Sequence, residues 1–221
     1  MDLRTFLHSQ ASFKTKKWGN ITVESVSLTE AVDGDLAVYF GAPFSQLEPL
    51  VRIHSECVFG EIFGSELCDC AQQLEMALGR LKAEKHGILL YLRIDGRGAG
   101  LSAKVKATDL ETQGIDTYDS RMQIGVAPEG RDFSRIGDFL KKKGVEAVRL
   151  MTNNPDKISG VSGAGIVVNT EPLVIDTSNP NIRQLYATKA KKFRHMIPRE
   201  LQEIPEIGQY ELDFTPPVPE S

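Results

Sequence analysis

No apolar run in this chain approaches the length that a membrane-crossing helix needs. Cysteine is scarce, with three in 221 residues, and an odd number cannot form a fully paired disulfide framework. A reducing, cytoplasmic setting is therefore expected. Positive charge is not in excess: 26 Lys and Arg stand against 30 Asp and Glu, for a formal charge of −4. Broad attraction to nucleic acid is excluded on that balance, and any phosphate contact must come from a local basic site. Met1-Asp2-Leu3-Arg4 is not followed by the apolar stretch of a secretory signal. Internal repeats and low-complexity blocks are missing as well. What is present, 41% apolar and 25% charged residues, is the balance of a globular chain long enough to bury a substantial core.

Four of the 11 prolines (Pro205, Pro216, Pro217 and Pro219) fall in the last 17 residues. Proline removes backbone donors and favours extended conformers, so residues 205–221 read as a tail that is mobile unless a partner holds it. Residues 1–204 read as a single domain, with a β-rich segment over about residues 1–50. Trp18 to Leu28 and Leu36 to Phe40 are rich in β-branched and aromatic residues and predict strands. Leu74, Ala77, Leu78 and Leu81 recur at helical spacing and predict a helix from about Gln72 to Lys85, ended by Gly87. Gly87 to Ile94 is a nearly continuous apolar run, the pattern of a strand covered on both faces. Helices are predicted over Leu101 to Thr112, Ser134 to Lys143 and Ile182 to Phe193, and a short buried strand over Ala147 to Met151. Alternating strands and helices imply an α/β fold, a layered mixed sheet flanked by helices.

All three cysteines lie within VRIHSECVFGEIFGSELCDCAQQLE, as Cys57, Cys68 and Cys70. Thiolates are soft ligands that suit zinc. Three protein ligands leave one tetrahedral position free, the pattern of a catalytic site, where bound water ionises near neutral pH. The bland alternative is three buried small apolar side chains, the usual fate of free cysteine. His54 is the rival fourth ligand; a closed Cys-Cys-Cys-His site would be structural.

That stretch resembles the GTP cyclohydrolase II family of riboflavin synthesis, whose pattern is close to R-V-H-S-E-C-x-x-G-D followed by R-C-D-C-G. The similarity continues through GILLYLRIDGRGAGL, QGIDT, EGRDF and VRLMTNNPDK, and spans roughly Arg52 to His195 in family order. Several motifs in register are specific where each alone is weak. The resemblance implies that Cys57, Cys68 and Cys70 hold one Zn²⁺ per chain. Arg52, Ile53, His54, Ser55 and Glu56 match the first GTP-contacting segment, which weighs against His54 as a metal ligand. Gln73 matches a nucleotide contact. Asp95, Gly96 and Arg97 match the segment at the phosphate end, and Thr117 a further substrate contact. Glu129 and Arg131 match the residues assigned as proton acceptor and nucleophile, and Thr152 and Lys157 the last phosphate and substrate contacts. A guanidinium with a pKa above about 12 rarely loses its proton, so an electrostatic clamp stands beside the nucleophile role for Arg131.

The implied reaction is hydrolysis of the guanine imidazole ring of GTP. The metal-generated nucleophile attacks C8, a second hydration releases formate, and pyrophosphate leaves with Mg²⁺ on the triphosphate. A homodimer is implied by resemblance, with neither nucleic acid nor membrane as a partner. Four departures bear on this. Leu67 and Ala71 replace an arginine and a glycine beside the cysteine pair. Asp95 replaces a glutamate, and Glu129 an aspartate. Thr108 stands where the family has a tyrosine. Leu101, Val105 and Thr108 are predicted to share one inward face. If the tyrosine orients water in the later steps, this chain stops early with the formyl group retained, or takes another purine nucleotide. If Thr108 only lines the core, the reaction is unchanged. A non-catalytic nucleotide-binding module with structural zinc is the reading from another class.

Overall fold

The computed structural model describes residues 8–31, 34–175 and 177–203. The proline-rich stretch 205–221 and the first residues of the chain lie outside them.

Seven strands form one mixed sheet: β1 (Gln10–Thr15), β2 (Gly19–Val26), β3 (Asp35–Phe40), β4 (Leu50–Ser55), β5 (Gly87–Leu92), β6 (Ala147–Met151) and β7 (Val167–Glu171). Their spatial order is β1-β2-β3-β5-β4-β6-β7. The N-terminal strands pair antiparallel with one another, and β3 with β5, whereas β5, β4, β6 and β7 run parallel. The helices are α1 (Val58–Glu61), α2 (Cys70–Glu84), α3 (Gly100–Thr112), α4 (Asp119–Gln123), α5 (Ser134–Lys142), α6 (Pro155–Ser162) and α7 (Pro180–Phe193). This is the α/β fold that the sequence predicts. Among the described residues no helix is long and apolar enough to cross a membrane.

Both faces of the central strands are covered. Ile88, Leu90 and Leu92 of β5 face one way, into a core shared with Ile136 and Leu140 of α5 and Val161 of α6. Leu89 faces the other way, against Ala77 and Leu81 of α2. The period-2 alternation of a strand makes this possible, and it accounts for the unbroken apolar run. In β4 the same alternation has a different use. Val51 and Ile53 enter the first core, while Arg52 and His54 project from the opposite face.

Gly87 has a different task from the one its spacing predicts. The chain leaves α2 through Lys85, which takes the left-handed conformation (φ 63°), and Gly87 opens β5. A Cβ there would lie 2.4 Å from Leu81 Cδ2 and 2.8 Å from the Leu50 carbonyl oxygen. The glycine is required by close packing of helix on strand, not by helix termination.

Connections that leave β4 toward β5 on one side and reach β6 on the other create a topological switch at β4. Open α/β sheets bind ligands in the crevice beyond the carboxyl ends of such strands. Ser55 ends β4 and Glu56 and Cys57 follow it, Arg97 follows β5 and Thr152 follows β6, so one crevice receives all of them.

Candidate active site

Cys57 leaves the end of β4 and caps α1, where its Sγ accepts from the Gly60 backbone N–H. Cys70 opens α2, and Cys68 stands two residues before it. The three Sγ atoms lie within 4.8 Å of one another, with Cys57 and Cys68 3.7 Å apart. Sulfurs at tetrahedral angles about 2.3 Å from a zinc ion are roughly 3.8 Å apart, so the trio fits that ion. Gly60 leaves the room: a Cβ on it would come 2.9 Å from Cys68 Sγ. Among the described residues this trio is the only group of three or more potential ligands drawn so close together.

His54 is not part of it. Its Nε2 lies 3.0 Å from Glu61 Oε1 and its ring stacks on Tyr91. Burial, helped by the charge of Arg52 and opposed by Glu61, pushes its pKa down to about 4, so the ring is neutral at physiological pH. Glu61 also accepts from the Cys57 backbone N–H at 2.8 Å and from the Tyr91 hydroxyl at 2.7 Å. The closed four-ligand alternative is therefore not built, and the donor set has three members. Hydrogen bonds from Cys68 and Cys70 and the Lys104 ammonium together hold the Cys57 thiol far below its ordinary range.

Beside the thiols the cleft is dense in buried cations. Arg52 donates to the Met151 carbonyl and to Gln73 Oε1, while its Nε has no partner. Lys157, 6% exposed, donates to the Ile53 carbonyl at 2.9 Å. Arg131 grips Glu129 through Nε and Nη2 and reaches Ser55 Oγ at 3.1 Å. Arg97 sits in left-handed backbone (φ 57°), touches Glu129 at 3.4 Å, and rests its guanidinium 4.1 Å from the Phe193 ring centre. Burial holds the Arg52 and Arg97 pKa values down to about 10, and it holds Lys157 well below the ordinary lysine range. Cations crowded together away from water are a standing demand for an anion.

The two carboxylates expected to differ in role also differ in environment. Burial would raise the Glu129 pKa, but the hydrogen bonds and charge of Arg131, with the charge of Arg97, hold it at about 2. Glu56 on the cleft wall is raised instead, by burial and by Asp95 and Glu61, against Arg93.

Gln73, in the first turn of α2, lines the cleft with its amide fixed at both ends, accepting from Arg52 and donating to Asp69 at 2.6 Å. Thr117 accepts from Arg121 at 2.8 Å, and Thr152 from the Asn154 N–H at 3.1 Å. Asp95 receives the Gly96 and Val58 backbone N–H groups, and Gly96 lies in the cleft wall. Ile53 is the exception. Its side chain is fully buried in the core, and only its carbonyl takes part, as the acceptor of Lys157.

The face expected of α3 is also corrected. Leu101 and Val105 are exposed, and the cleft is met by Lys104, Thr108 and Glu111, one turn apart on another face. Thr108 does reach the cleft, but without those two apolar neighbours. Glu111 is held by Arg121 and Ser120.

Four contributors escape the sequence reading. Lys104 lies against Cys57. Tyr186, Lys189 and His195 come from α7 and the turn after it. Tyr186 donates to Asp69, between Cys68 and Cys70, at 2.5 Å, and Lys189 lies 3.3 Å from the same carboxylate. Burial and the charges of Lys189, Arg97, Lys157 and Arg131 push the His195 pKa down to about 3. The helical spacing of Tyr186 and Lys189 places them on one face, but nothing local in the sequence names what that face meets.

A family model described as GTP cyclohydrolase II matches residues 7–172. The chain is 40% identical over 181 residues to "GTP cyclohydrolase-2" of Escherichia fergusonii, covering 81% of this chain and 91% of that one. It is also 40% identical over 180 residues to "Riboflavin biosynthesis protein RibBA" of Bacillus subtilis, covering 80% of this chain and 45% of that protein. The chain thus spans less than half the length of the RibBA relatives and about nine tenths of the GTP cyclohydrolase-2 relative.

Proposed function

Since the chain belongs to the GTP cyclohydrolase II family, we propose that it hydrolyses the imidazole ring of GTP in riboflavin biosynthesis, releasing pyrophosphate and formate. The observation that carries this reading is the meeting of three thiols with two buried cations, Arg52 and Lys157, and two mostly buried ones, Arg97 and Arg131, in one crevice, a metal-ligand set beside a site for a polyanion. Cys57, Cys68 and Cys70 would hold one zinc ion, which when bound supplies a Lewis acid able to ionise water near neutral pH.

The chain's own residues do the rest. Arg97, Arg131 and Lys157, together with Mg²⁺, hold the triphosphate and offset the charge that gathers on departing pyrophosphate. Arg131 serves as a clamp: a guanidinium is a poor nucleophile, and this one is already engaged by Glu129. Arg52 and Gln73 face the base, with the Gln73 amide oriented by Arg52 and Asp69. Proton acceptance suits Glu56 better than Glu129, because a carboxylate held at about 2 is a weak base until its arginine partner turns to the substrate. The working form is a cytoplasmic homodimer.

The test is incubation of zinc-loaded protein with GTP and Mg²⁺, followed by mass analysis of products and a formate assay. Pyrophosphate and formate together are expected. Unchanged GTP with binding detected supports the non-catalytic module and overturns the proposal. The position of Thr108 on the cleft wall favours one refinement. Formate lags pyrophosphate in a single turnover, because a threonine hydroxyl is too short to order water where the family has a phenol. Thr108→Tyr closes the lag, speeding formate release by about 10- to 100-fold, at or below the low end of what a positioned proton-transfer group contributes. An unchanged lag removes Thr108 from the reaction.

A further inference from the structure

Lys104 points from α3 into the angle between two loops. Its Nζ lies 3.1 Å from Cys57 Sγ and 2.6 Å from Asp95 Oδ1, and its ammonium stands 4.8 Å from the Phe59 ring centre. It is mostly buried, and so is its partner Asp95. Asp95 is engaged on its other sides by the Val58 and Gly96 N–H groups. The ammonium is thus a three-way tie between α3, the cysteine loop and the glycine-rich loop that carries Arg97.

We propose that Lys104 is a positioning residue of the metal centre, donating an N–H···S hydrogen bond to the Cys57 thiolate while anchoring the Asp95 loop. The proposal rests on the metal-centre reading above. Three thiolates around a dication leave one negative charge in excess, and thiolates donate strongly, which weakens the ion as a Lewis acid. An ammonium on one sulfur, though shared with Asp95, offsets part of that charge where it is most dense and draws electron density off that sulfur. Partners in the second layer of a metal site orient the ligands and tune the ion in this way. Because the same ammonium holds Asp95, the distance between metal and phosphate-binding loop is fixed at its source.

The test replaces zinc by cobalt(II) in the full chain and reads the sulfur-to-metal charge-transfer band, with metal affinity measured by chelator competition. Lys104→Met keeps the stem over Phe59 and removes the donor. The band is expected to move to lower energy, because a thiolate without its hydrogen bond is easier to oxidise, and affinity is expected to fall about 10- to 100-fold. Lys104→Arg, which keeps a charged donor, restores the band position. Where Lys104→Met does not fold by circular dichroism, Lys104→Leu, which likewise has no donor, takes its place with the same expectations. A folded variant with lowered melting temperature but unchanged band and affinity makes Lys104 merely structural and overturns the proposal. Wild-type protein that takes up no cobalt overturns the metal reading itself, and the proposal falls with it.

Discussion

Cys68→Ser loses zinc and GTP turnover together. A serine hydroxyl does not ionise in the range where a thiol does, and its oxygen is a harder donor than zinc prefers. Cys68 stands 3.7 Å from Cys57 with Gly60 packed beneath both, and among the described residues no fourth potential ligand joins the trio. His54 is held by Glu61 and cannot swing in without abandoning it. Metal content should fall to the background of the chelated protein. Turnover should fall by at least about 10³-fold, the upper end of what removing one preorganised charge-stabilising group costs. Elemental analysis and a product assay on one preparation check both. Full activity in the variant would remove zinc from the mechanism.

Lys157→Met separates binding from stability, in opposite directions. Lys157 is buried, donates to a carbonyl, and among the described residues meets no carboxylate at salt-bridge distance. Burial lowers its pKa, with Arg52 and Arg131 adding to the effect. The sign of the linkage follows. Between the lowered folded value and the ordinary value of 10.5, the unfolded chain binds more protons than the folded one. The wild type therefore gains stability as pH rises through that window, and below it carries the full cost of a buried charge. Methionine fills similar space without charge. The variant should be more stable at neutral pH by about 1–3 kcal/mol, and its stability should vary less with alkaline pH. At the same time KM for GTP should rise about 30-fold or more, since a buried charge facing a phosphate is worth roughly 2–5 kcal/mol. Thermal melts across pH, set beside steady-state kinetics, make the comparison. A variant that is less stable at neutral pH and binds GTP normally would assign Lys157 to the scaffold.

The elements that the sequence discloses are those whose burial is uniform along their length. The run at Gly87 becomes a strand covered on both faces, and the Leu74, Ala77, Leu78, Leu81 stripe becomes the inner side of α2. Ala147 to Met151 is a strand with those same bounds. β4 has no such signature, because Arg52 and His54 interrupt its apolar pattern; they do so because that face opens into the cleft. β7 (VVNTE) is a polar edge strand. α6 (PDKISGVS) has weak helix formers and depends on its Asn154 cap. In the site, the cysteines declare themselves by spacing. The cations do not, since a single Arg or Lys in a sequence has the composition of a solvated surface charge. Only the sheet, by bringing the ends of β4, β5 and β6 together, turns Arg52, Arg97, Arg131 and Lys157 into one group.

α7 begins beyond the last residue that the family model matches, yet it supplies Tyr186 and Lys189 to Asp69 and seats Arg97 on Phe193. A gene fusion spliced at that border would inherit every cysteine and none of α7. Cloning boundaries for this protein, and any domain-swapping experiment with it, therefore belong after Leu201, where the small apolar cluster of Ile182, Tyr186, Ile197 and Leu201 closes.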